Sequence, residues 1–326
     1  MTSAVDALAA GPVFGLPLPE LWFALVFAIL GTFLFLDGFD FGAGAIFATL
    51  REDAAREAVL SAIGPFWDGN EVWLVVFGGA LFAAFPSVYA GLFSRHYLLM
   101  FGILGALILR GLAPEMYEQR RDERWQRWWG RSFVAGSVLA PFLLGAFAGN
   151  WLVGTPRSLT LVGVVTGVTV TALTVVSGAA FLRLKARDAL PETVTQIGVG
   201  AVAAYLLAVV ATLGVGVTAF LLAAAGVTGL LAASIEVSAL VGLPVGILVG
   251  AASAAATWLR LWKNPDARPA LLGVAAAGYA VVALAAASYA ISSVRGVVSV
   301  ERALAVALLV GVVAFALARR RPDRFD

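Results

Sequence analysis

The sequence contains no cysteine, one histidine and three methionines. The missing thiols exclude disulfides, thiolate metal sites, covalently attached c-type haem and iron–sulfur clusters within this chain. The single histidine, His96, lies four positions before Met100. On one helix both side chains point the same way, so they cannot grip an iron from opposite sides. A redox role for this chain would therefore leave most of the metal on a partner. Charge is scarce as well: 13% of the 326 residues are charged, 61% are hydrophobic, and the mean hydropathy is +0.94. A soluble domain is nearer half apolar and about a quarter charged, so the composition is that of a membrane protein.

What is abundant is long apolar sequence. Runs able to cross a bilayer lie at 19–47, 66–90, 96–113, 132–151, 158–182, 194–224, 228–259, 268–291 and 301–318. The fold class expected is all-α: a polytopic helical bundle of about nine transmembrane helices in one membrane domain over 1–326. Gly31, Pro141 and Pro244 fall inside runs, where neighbouring helices can satisfy freed backbone groups. No basic stretch precedes the first run, so it is expected to stay as a span rather than to be cleaved as a signal peptide. With the N-terminus outside, 18 of the 22 Lys and Arg fall in inner loops and the C-terminal tail, leaving Arg95, Arg157, Arg295 and Arg302 outside. That asymmetry is the positive-inside rule and places the C-terminus in the cytoplasm.

Polar groups inside these runs carry the chemistry. Asp37 and Asp40, in LDGFDFGAG (36–44), are three apart and share a helix face. The sequence continues apolar to Leu50, which places Asp37 about 20 Å of helix rise from that inner end. A carboxylate at that depth must be protonated, paired or wetted. The plainer alternative is a turn dipping inward, with the acids beside Gly38 and Gly42. In GPFWDGNEVW (64–73), Pro65 is placed to open a helix, Asp68 and Glu71 share its first turns, and Trp67 and Trp73 would anchor at headgroup level. With Asn70, these acids suit a cytoplasmic mouth for protons; an ordinary acidic N-terminal turn accounts for Asp68 better than for Glu71. Arg110 and Glu115, ending the third run, are expected to form a structural ion pair. His96, in FSRHY, reads as a surface or packing residue near the outer face. Glu236 is the acid of the later runs, with no assigned partner.

The order of these motifs is more specific than any one acid. LDGFDFGAG, then GPFWDGNEVWLVVFGGALFAAFPSVYAGLFS (64–94), LRGLAPE (109–115) and GSVLAPFLLGAFAGNWLVG (136–154) together closely resemble subunit II of the cytochrome bd quinol oxidases. The resemblance covers residues 30–154 and implies a heterodimer in a prokaryotic cytoplasmic membrane. Subunit I would hold two b-type haems, one haem d and the quinol site. Subunit II would bind no catalytic haem and supply a proton path. By motif, Asp68 matches the acid favoured for proton uptake, Asp37 and Asp40 the paired acids of the first helix, and Arg110 and Glu115 the residues closing the third. The resemblance also leaves room for a small single-helix subunit and for a structural quinone or lipid. The chain departs from many relatives at Glu71, where they carry glutamine, at Ser177, where they carry histidine, and in the stretch at 287–302, where they are rich in Pro, Phe and Ser. A proton- or sodium-coupled transporter using the same acids is the alternative function.

Overall fold

The computed structural model describes residues 18–152 and 155–224. The runs at 228–259, 268–291 and 301–318, with Pro244 and Glu236, lie outside the described residues. Within them the chain is helical and forms no strand: α1 (Leu18–Phe47), α2 (Asp53–Ile63), α3 (Trp67–Ala84), α4 (Pro86–Arg95), α5 (Tyr97–Gln119), α6 (Glu123–Leu152), α7 (Leu161–Lys185) and α8 (Thr193–Ala224). Five of these, over Leu21–Phe47, Tyr97–Gln119, Glu123–Trp151, Leu161–Lys185 and Thr193–Thr212, are long and apolar enough to cross a membrane. Their outer surfaces carry large apolar side chains: Val75, Leu98 and Leu207 are each more than 70% exposed. Apolar cover of that extent is stable against lipid and not against water.

The run at 66–90 is not one helix. α3 ends at Ala84, Phe85 leaves helical geometry (φ −137°, ψ 63°), and Pro86 opens α4 at a position whose N–H would have no helical partner. α3 is 18 residues, about 27 Å, close to the hydrocarbon thickness; its polar first turn keeps it below the hydropathy of the other five. Pro65 sits in the turn before α3 rather than opening it, and Phe66 precedes the first helical residue, Trp67. Pro141, by contrast, lies inside an unbroken α6.

α1 is the central element, packed against α3, α6 and α7 and followed by the short α2. Small residues let it sit so close. A Cβ on Gly42 would collide with the Thr174 carbonyl of α7, and one on Gly178 of α7 would collide with the backbone at Gly42. Gly44 faces Ser137 and Phe133 of α6 in the same way. Lipid offers no hydrophobic drive between helices, so this close backbone approach is what gains dispersion energy in their association. Three apolar layers stack along the bundle. Phe23, Val26, Phe77, Leu81 and Leu92 fill one end; Phe33, Phe41, Ile103, Leu107, Leu173 and Tyr205 fill the middle. Ile46, Phe47, Val59, Ile63, Tyr117 and Leu182 fill the other end, where α2 docks.

The contact between Gly42 and Gly178 leads to a stability test. Gly42→Leu should destabilise the purified protein by at least about 1–3 kcal/mol, seen as a lower thermal midpoint in detergent. Gly105→Leu, at a position that faces open space, should leave the midpoint unchanged.

Candidate functional site

Arg110 lies on α5, nine residues before its end, and is 1% exposed. A Cβ on Gly136 of α6 would lie 2.6 Å from the Arg110 backbone nitrogen, so α6 can back closely onto α5 at this level. From there the side chain crosses to α1 and α3. Its Nη2 is 2.7 Å from Asp37 Oδ1 and 3.7 Å from Asp40 Oδ2; its Nη1 donates to Glu71 Oε2 at 3.2 Å. The guanidinium carbon sits 4.6 Å from the centre of the Phe41 ring, a cation–π contact that favours the buried charge. Asn70 closes the cluster, donating to Asp40 Oδ2 at 2.8 Å and reaching the Leu36 carbonyl at 3.4 Å.

The helical repeat explains the convergence. Asp37 and Asp40 are i and i+3 on α1 and so point together at the same guanidinium. Asn70 and Glu71 are neighbours in the first turns of α3; Asn70 turns to Asp40 and Glu71 to Arg110. Asp37 and Asp40 are fully buried, whereas the Glu71 side chain keeps 27% of its surface. The cluster thus has a sealed side and an open side, and Glu71 is the open side.

Its charges do not balance. Three carboxylates face one guanidinium, and no other cationic side chain among the described residues pairs with them. Asp37 Oδ2 and Asp40 Oδ1 are buried and accept no hydrogen bond, and the short Asp37–Arg110 contact is not aligned as one. Uncompensated negative charge in so dry a place is costly, so the excess has to be met by protons, by water or by a cation. Arginine does not deprotonate in proteins, so Arg110 holds the carboxylates in place while the carboxyl groups are the ones able to take up and release protons.

The other residues singled out by sequence are distributed differently. Asp68 is exposed at the start of α3, three residues before Glu71, and stands outside the cluster. Trp67 borders it: a Cβ on Gly111 would touch the Trp67 ring at 3.3 Å and Glu71 Oε2 at 3.9 Å. Trp73 is no headgroup anchor; it is partly buried and packs against the middle and end apolar layers. The expected Arg110–Glu115 pair is absent. Five residues along a helix turn the side chain roughly 140° away, and Glu115 is exposed while Arg110 faces inward. His96 is buried, 2% exposed, edge-on to the Phe147 ring, and about 21 Å of helix rise from Arg110. Ser177 is buried on α7 with its hydroxyl unbonded. Sequence reading missed that Arg110 joins the acids of two other helices. The available signal was its setting in ALILRGLA, where a cation inside an apolar run has to find carboxylates elsewhere.

Residues 18–319 match the family described as cytochrome bd terminal oxidase subunit II. The chain belongs to that family. It is 39% identical over 137 residues to the cytochrome bd-I ubiquinol oxidase subunit 2 of Escherichia coli K12, covering 42% of this chain and 36% of that protein. The cytochrome bd ubiquinol oxidase subunit 2 of Bacillus subtilis strain 168 is 36% identical over 181 residues, 52% of this chain and 54% of the relative. A probable cytochrome oxidase subunit 2 of Haemophilus influenzae is 34% identical over 198 residues, 55% and 52% of the two chains. The chain spans about half or less of the length of these curated relatives. Membership in a subunit II family of terminal oxidases gives no support to the transporter alternative.

Loss of the guanidinium is the direct check on this cluster. Arg110→Gln should destabilise the protein by about 3 kcal/mol, because it strands buried carboxylates. Asp37→Asn should cost less, since Arg110 keeps Asp40 and Glu71. Thermal midpoints and membrane yield of the two variants, compared side by side, measure the difference.

Proposed function

We propose that this chain is the non-haem subunit of a cytochrome bd-type quinol oxidase, supporting quinol oxidation coupled to reduction of oxygen to water. In this reading it carries protons from the cytoplasm toward a haem-bearing subunit I. The supporting observation is the one-sided burial of the acid cluster: Glu71 open, Asp37 and Asp40 sealed, all three on one guanidinium. Asp68, exposed one turn ahead of Glu71, is suited to collect protons from water. Glu71 accepts them at the rim, and Asp37 and Asp40 are the deeper stations. Asn70 and Arg110 release no protons themselves and hold the carboxylates in register. Passage between Glu71 and the α1 acids therefore goes through water, for which the unbonded oxygens of Asp37 and Asp40 are acceptors.

The same reading assigns the chain one membrane domain of nine spans, with the N-terminus outside and the C-terminus in the cytoplasm of a prokaryotic cell. Seventeen of its 22 Lys and Arg, leaving aside the buried Arg110, fall on the inner side in that orientation and support it. The partner, subunit I, would hold two b-type haems and one haem d, in keeping with the absence of cysteine and the single histidine here. A small single-helix subunit and a structural quinone or lipid complete the expected complex.

A purely structural role for the acids makes a different forecast, and this separates the two. Glu71→Gln in the assembled complex should slow oxygen reduction about tenfold or more with haem content intact, as loss of a proton-transfer group does. Asp68→Asn should slow it less, because water can still reach Glu71 directly. Normal turnover in Glu71→Gln would overturn the proton role, and loss of haem and assembly in place of turnover would assign the acids to structure.

A further inference from the structure

Away from the acid cluster, α4 and the end of α6 enclose a recess of about 180 Å³. Ser87, Gly91, Leu92, Arg95 and His96 line it along one face of α4 and its junction with α5, and Trp151 of α6 forms a further wall. The spacing of these positions is that of a single helix face, open to a ligand because Gly91 carries no side chain. His96 is 2% exposed, and among the described residues neither ring nitrogen has a hydrogen-bond partner. A buried imidazole left in that state loses the full hydration of two polar atoms, so a ligand that bonds to it recovers a substantial loss.

The lining also fixes the sign of the ligand. Arg95 brings a permanent cation and Ser87 a hydroxyl, the His96 ring forms part of the wall, and among the described residues no acidic side chain borders the recess. Among the described residues Arg95 has no carboxylate partner. The first turns of α5, which follow His96 directly in the chain, expose apolar side chains: Tyr97, Leu98 and Phe101 are 58–71% exposed. A ligand with an anionic head and apolar tails meets both surfaces at once, and the tryptophan beside it is a side chain favoured at a membrane–water boundary.

We propose that this recess binds the phosphate ester of a membrane phospholipid, with Arg95, His96 and Ser87 on the phosphate and the acyl chains along the exposed face of α5. The inference rests on the membrane character of the helices and is independent of the proton route. Arginine and a charge-assisted hydrogen bond supply the affinity for the phosphate. The glycerol and chains add apolar contact with Leu92 and Trp151.

The test uses the protein purified from its membrane with whatever subunits accompany it, stripped of phospholipid in a phosphorus-free detergent. Dioleoyl phosphatidylglycerol, dioleoylglycerol and inorganic phosphate are titrated separately, and bound ligand is counted by native mass spectrometry. One phosphatidylglycerol should bind that dioleoylglycerol at equal concentration does not replace. Arg95→Gln should weaken it about tenfold, the loss expected for one charge-assisted contact. His96→Phe should weaken it similarly. Arg95 is exposed, so its variant retains the fold if the buried His96 variant does not. Equal binding of the phosphate-free lipid, or wild-type binding by Arg95→Gln, overturns the proposal. Phosphate binding abolished by Arg95→Gln, without phosphatidylglycerol binding, moves the site to a free anion and overturns the lipid source. No ligand bound at all, as expected if a partner segment or water fills the recess, overturns it too.

Discussion

A guanidinium buried to 1% exposure is the constraint around which the described helices are arranged. Removed from water, it requires carboxylates within a few ångströms, and these come from α1 and α3 rather than from its own helix. α5 does not pack its backbone broadly on α1 or α3; α6 lies against both α1 and α5 and sets the distance between them. That distance is one the arginine side chain can reach across, and Gly136 and Gly44 keep α6 close on both sides. Burial, glycine packing and charge pairing are therefore linked: widening either α6 contact would pull the guanidinium from its carboxylates.

Buried ion clusters stabilise proteins poorly, because desolvation of each charge offsets much of the Coulombic gain. This cluster is worse placed than a simple pair, with three acids on one cation and three buried carboxylate oxygens that accept no hydrogen bond among the described residues. Apolar residues of similar volume would hold the same helices together at lower cost. An arrangement chosen for stability alone would have either fewer acids or a second cation. Excess carboxylate around a fixed positive charge instead suits groups that change protonation while their position stays constant, since the arginine keeps the geometry in every state.

Much of this was legible in the sequence, for reasons that can be traced residue by residue. Five apolar runs stand as membrane-length helices because twenty or so apolar residues have few other stable forms. The common face of Asp37 and Asp40 follows from helical repeat, which is local. The acids read as lying nearer the mouth, Asp68 and Glu71, keep exposed surface, whereas those read as lying deeper, Asp37 and Asp40, are buried. What stayed hidden is non-local. Arg110 sits near Glu115 in sequence, yet the helix turns them apart and the bundle brings Asp37 from 73 positions away. Trp73 resembles an interfacial anchor until the fold places it between two apolar layers. The break at Phe85 was written in Pro86, but a proline inside Pro141's helix breaks nothing, so the residue alone does not decide.

The two ends of α5 finally separate two kinds of polar burial. In its C-terminal half, Arg110 is paired at once by its own chain, and what is missing is positive charge. At its N-terminal end, His96 is buried with no bond to either nitrogen, and Arg95 beside it has no carboxylate partner among the described residues, so what is missing there is negative charge or an acceptor. About 21 Å of apolar helix divides them, so neither can neutralise the other. A chain that left both imbalances inside its own fold would lose stability at each end of the same helix. In the two readings proposed above, protons or water meet the excess at the carboxylates, and an anion meets it at the recess beside the histidine. The unsatisfied groups of this bundle thus mark where its surroundings enter it.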